Sequence, residues 1–184
     1  MKNSILHQKK WSRGTLAAIG SNGTPAARLA GRAALAAAAI ALAGLERLMP
    51  PFFPAMPGVK IGLANLATLA ALYWLGPASA ALVAATRILV SAFVFGAVSA
   101  LPYALCGGLL AWAAMCVARR VFGMPGVSML GAVAHNIGQV CVAVWMLDSR
   151  VLFRYLPALT MVGCFTGFAL GFVMLNLDKH IKPL

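Results

Sequence analysis

The chain has 184 residues, 62% hydrophobic and 10% charged, with a formal net charge of +12. A soluble domain carries about 25% charged residues, and three acidic side chains, Glu46, Asp148 and Asp178, cannot clothe a soluble surface. The basic excess does not indicate nucleic acid: six of the fifteen Lys and Arg lie in the first 32 positions and most others flank apolar runs, as topology signals do, with no aromatic-interleaved basic groove.

Residues 1–28 are polar, basic and rich in Gly and Ser. They read as a cytoplasmic tail, with the composition of a disordered segment, and the long basic region followed by a stable span does not fit a cleavable signal. Residues 29–178 read as a single transmembrane domain, since a bilayer crossing takes about 20 apolar residues. Gly, Ala and Leu dominate and the alternation of a membrane barrel strand is absent, so the spans are helices. Six are expected, at 29–49, 60–75, 78–98, 101–118, 127–147 and 155–177, the second being short. The first connector carries Pro50, Pro51, Pro54 and Pro57, and Gly76-Pro77 makes a tight turn. Residues 179–184 form a short tail. The predicted fold class is therefore all-α, a polytopic bundle.

Six spans put both termini on one side. Ten Lys and Arg fall on that side against four on the other, Arg47, Lys60, Arg150 and Arg154, while Arg87 sits inside a span. The bias predicts cytoplasmic termini in a multi-pass protein of the cell inner membrane.

Charge at membrane depth points to function. Arg87 lies near the middle of the third span, while Glu46, near the outer end of the first, is about 12 Å away along the normal at 1.5 Å per residue. Two readings stay open: Arg87 holds backbone carbonyls between helices, or its planar guanidinium meets an anionic ligand in a cavity. The stretch GVSMLGAVAHNIGQ, 126–139, is the most polar of the spans. His135 and Gln139 share a helix face, Asn136 is adjacent, and Gly131 and Gly138 admit a ligand or a helix. Interhelical hydrogen bonding is the competing use. A third set is Lys60, placed to snorkel at the outer mouth, with Asn65 and Thr68 on one helix face. Ala33, Ala37 and Ala41 form a small-residue face on which another helix could dock, although alanine is abundant throughout this span. No CxxC, Cys/His metal pattern or P-loop occurs, so neither a metal site, a catalytic site nor a cofactor is expected. Cys106, Cys116, Cys141 and Cys164 read as small packing residues.

The segments PGVKIGLANLATLAALYWLG (57–76), RILVSAFVFG (87–96), CGGLLAW (106–112) and GVSMLGAVAHNIGQ resemble the small bacterial membrane family known as heptaprenyl diphosphate synthase component I, or the Gx transporter family. That family is similar to the substrate-binding S-components of energy-coupling-factor transporters. The resemblance implies a six-helix bundle binding a small substrate from the outer side. It also implies a first helix, here with Ala33, Ala37 and Ala41, docking on a transmembrane coupling subunit driven by paired ATPases, and a first outer loop capping the pocket. The enzymatic name sits poorly on this chain: prenyl diphosphate synthesis needs Mg²⁺ held by clustered carboxylates, and no two acidic residues are neighbours. The expected function is a transport or substrate-binding subunit for a small, anionic molecule; the alternative is a non-catalytic membrane component of a heptaprenyl diphosphate synthase.

Overall fold

The computed structural model describes residues 24–48 and 62–181. Six α-helices run through them: α1 (Pro25–Leu48), α2 (Leu63–Trp74), α3 (Pro77–Val94), α4 (Leu101–Ala118), α5 (Met124–Leu147) and α6 (Leu156–Ile181), with 3₁₀ turns at Val98–Ala100 and Arg150–Tyr155. The chain is an all-α polytopic membrane bundle. Five of the helices are long and apolar enough to cross a membrane, and α2, at 12 residues, is the short one. At 1.5 Å per residue α2 spans about 18 Å, less than the hydrocarbon core of about 30 Å.

Local chemistry sets the helix ends. Thr24 caps α1, its Oγ1 accepting from Ala27 N at 3.2 Å, and Pro25 takes the first helical position, where no amide is needed. The first helix thus begins inside the stretch read as tail, and α6 continues past residue 178 to Ile181. Prolines also open α3, α4 and α5. The corner between α2 and α3 turns on Gly76 at φ 89°, a left-handed conformation that glycine adopts without a Cβ penalty.

Glycine sets the closest helix packing. On α6, Gly163, Gly167 and Gly171 recur every four residues and face α5. A Cβ on Gly167 would lie 2.8 Å from Met129 Cα, and one on Gly171 2.5 Å from Pro125 Cα. Between α4 and α5 the backbones meet at Gly107 and Gly138, where a Cβ on Gly138 would come within 2.8 Å of Gly107 Cα. In lipid, where apolar burial gives no preference for protein over tails, such close van der Waals approach is what holds helices together. The outward faces carry exposed apolar side chains, among them Phe93, Leu109, Val117, Trp145, Phe165 and Phe172, the surface a bilayer accepts.

The packed core is off-centre. Leu69, Leu72, Val83, Met115, Val127 and Met174 cluster near the end where the helix termini Trp74, Pro77, Ala118 and Met124 lie. Side-chain bonds tie that end together: Trp74 Nε1 donates to Asp178 Oδ1 at 2.7 Å, Arg32 Nε to Ser79 Oγ at 3.0 Å, Trp112 Nε1 to the Pro77 carbonyl at 3.0 Å and Arg119 Nη1 to the Leu72 carbonyl at 3.4 Å. Arg32 on α1 and Asp178 on α6 place the first and last described residues at this same end.

Candidate functional site

The bundle is hollow in its other half. A cavity of about 180 Å³ is walled by all six helices. Residues Glu46 and Arg47 from the end of α1, Asn65 from α2, and Arg87 and Ser91 from α3 contribute its charged and polar lining on one side. Tyr103 of α4, His135, Asn136 and Gln139 of α5, and Thr166 of α6 line the other. Met115, Ser128 and Gly131 lie on the core side, so the cavity ends where the packed core begins. Toward the opposite end its wall includes Ala97, Ala100 and Leu101, at the turn between α3 and α4.

Five of the six residues expected to bind substrate, Asn65, Arg87, His135, Asn136 and Gln139, meet at this one cavity. They come from three helices, brought together because α2 and α3 fold back on each other at Gly76 while α5 packs beside α4. Lys60 lies outside the described residues. Asn136 has a bond elsewhere: its Nδ2 donates to the Leu159 carbonyl at 2.7 Å, and a Cβ on Gly163 would lie 2.8 Å from that same nitrogen. The side chain therefore bridges α5 to α6 as well as lining the cavity. His135 packs against the Gly107 backbone, its Cε1 3.1 Å from where a Cβ would stand.

Arg87 follows the midpoint of the 18-residue α3. Its Nη2 donates to Asn65 Oδ1 at 3.4 Å, and its Nε has no hydrogen-bond partner among the described residues. Glu46 lines the same cavity and acts on Arg87 electrostatically. The Glu46 carboxylate accepts a bond from Gly62 N, where the chain enters α2 with Gly62 at φ 85°. Arg47 turns aside, its guanidinium 5.1 Å over the Phe95 ring.

Ala33, Ala37 and Ala41 take no part in the cavity: they are exposed on the outer face of α1, whereas Ala36 and Ala39 are buried against the bundle. Sequence reasoning did not pick out Ser91, Tyr103 or Thr166. Ser91 carries a readable signal, four residues after Arg87 on one face; Tyr103 and Thr166 carry none. Among the described residues no group of three or more His, Cys, Asp or Glu stands together to hold a metal, and the four cysteines are free.

A family model described as heptaprenyl diphosphate synthase component I matches residues 35–177. No curated protein and no solved structure matches the chain.

Proposed function

The chain belongs to the heptaprenyl diphosphate synthase component I family, and on that premise we propose that it is a non-catalytic membrane subunit that binds a small anionic molecule in the cavity at Arg87 and works through partner proteins. The observation that carries this reading is the arginine itself. A guanidinium at membrane depth is costly and is kept where it meets an anion or a ring of carbonyls; this one opens on a cavity lined by polar side chains from several helices. A largely pre-formed hollow with a few convergent polar groups is the usual form of a small-molecule site.

The partner decides what the bound molecule is for. If the termini are cytoplasmic, as the charge bias predicts, the end closed by the packed core and its Trp74–Asp178 tie is the inner one and the cavity lies toward the outside. That asymmetry favours a substrate-binding subunit for uptake, energised by a transmembrane coupling subunit and ATPases, with the exposed Ala33, Ala37 and Ala41 face free to dock. The family's description favours the second reading, a membrane component of a prenyl diphosphate synthase whose separate catalytic subunit supplies the carboxylates. In both readings this chain is not the catalyst: Mg²⁺ chemistry on diphosphates calls for clustered carboxylates, and Glu46, Asp148 and Asp178 lie far apart in the sequence.

Native mass spectrometry of the protein, purified gently from its own membrane, separates the two. Bound coupling and ATPase subunits support uptake. An Asp-rich prenyl synthase in their place supports the synthase component and sinks the transport reading.

A further inference from the structure

Arg87 and Ser91 stand one turn apart on α3, share a helix face and both line the cavity. Arg87 Nε and Ser91 Oγ are buried, and neither has a hydrogen-bond partner among the described residues. A helical serine usually satisfies its hydroxyl by donating to the carbonyl four residues back. Thr166, on the opposite wall, does this, with Oγ1 donating to the Val162 carbonyl at 3.0 Å; Ser91 does not. The guanidinium is also loosely held, since its bond to Asn65 at 3.4 Å is long beside the roughly 2.7–2.9 Å of a charge-assisted bond. Buried donors left without acceptors are unfavourable, and here the two residues that carry them line one cavity. The nearby carboxylate of Glu46 is bonded to Gly62 N.

We propose that Arg87 Nε and Ser91 Oγ together form the seat for one oxyanion group of the ligand, a carboxylate or a phosphoryl group, with Ser91 the neutral second donor that fixes where the anion sits. This rests on the anion-binding reading above and adds to it the residue that positions the anion. Arg87 supplies the charge and a fork matched to two oxygens. The Ser91 hydroxyl lies one turn further toward the α3 C-terminus, so the anion is drawn to that side of the guanidinium, away from Asn65.

The test is thermal unfolding of the full chain in detergent, titrated separately with sodium acetate and sodium phosphate against sodium chloride at matched ionic strength. Wild type is compared with Arg87→Lys, Ser91→Ala and Ser91→Thr. Arg87→Lys keeps the charge without the Nε donor, and subtracting its response removes the general stabilising effect of excluded salts. One of the two anions is expected to raise the wild-type Tm above that baseline, and which one does so names the ligand's acid group. Ser91→Ala is expected to need about tenfold more of it, the loss of one bond to a charged group, while Ser91→Thr responds as wild type. In chloride alone Ser91→Ala is expected to unfold no earlier than wild type, because it deletes a hydroxyl that has no partner. If Ser91→Ala titrates like wild type, or unfolds earlier in chloride, the seat is overturned while anion binding at Arg87 stands. If neither anion separates wild type from Arg87→Lys, the anion-binding reading falls with it.

Discussion

At the scale of single residues, the polar side chains of this bundle divide into those that hold helices together and those that face the cavity. Asn136 bonds the Leu159 carbonyl and Trp74 bonds Asp178, whereas Gln139 and Arg87 face the hollow. Asn136→Ala leaves the α6 end without that donor and is expected to destabilise the protein by about 1–3 kcal/mol. Gln139→Ala should leave the unfolding midpoint near that of wild type and weaken ligand binding. Both effects are read from thermal unfolding in detergent with and without the co-purifying ligand. Asp178→Ala strands the Trp74 indole N–H and should cost about 1–2 kcal/mol, with Asp178→Asn recovering most of it, since an amide oxygen still accepts. Much of the site is legible at this scale because charged and amide side chains are rare in apolar spans, so Arg87, His135 and Gln139 stand out. Glu46 was visible, but its place on the same cavity wall was not, and Ser91, one turn after Arg87, was passed over because serine is common and tolerated in membranes.

At the scale of helices, glycine spacing carries the packing. In the α6 stripe, Gly167 and Gly171 meet α5 backbone, which cannot yield, and Gly163 meets the Asn136 side chain. Gly167→Ala puts a methyl 2.8 Å from Met129 Cα and 2.9 Å from Ser128 O, an overpacking expected to cost about 1–3 kcal/mol. Gly108→Ala would meet Ile88 Cδ1 at 2.5 Å, the far end of a flexible side chain that can rotate away, so its cost should be clearly smaller. The ordering of the two unfolding midpoints checks the argument. The alanine face of α1 has the opposite standing: Ala37 is exposed, so Ala37→Leu should leave stability unchanged while reducing recovery of a partner subunit in gentle purification. Helix existence and type were readable from the apolar run lengths, and the expected fourth span coincides with α4, Leu101–Ala118. Other ends shifted by a few residues because caps, not hydropathy, set them. Thr24 and Pro25 start α1 before the apolar run begins, and Gly123 with Pro125 starts α5 early.

At the scale of the whole molecule, the protein is solid at one end and hollow at the other. If the solid end faces the cytoplasm, a single cysteine at Arg120 in an otherwise cysteine-free chain should react with an impermeant maleimide only after the membrane is opened. One at Asp148, exposed at the far end of α5, should react in intact cells. Labelling in the reverse pattern would put the cavity mouth on the cytoplasmic side and remove the support for uptake. Composition and the period of the apolar runs were enough to establish a membrane-embedded helical bundle with an arginine at depth and a polar set on α5, since hydrophobic length and the cost of buried charge act through each segment alone. Only the tertiary structure decided that Arg87, Asn65, His135 and Glu46 share one cavity, that Asn136 is also a strut, and that one end is sealed. Those facts depend on which faces meet and how closely, and that is set by glycine contacts between helices far apart in the chain.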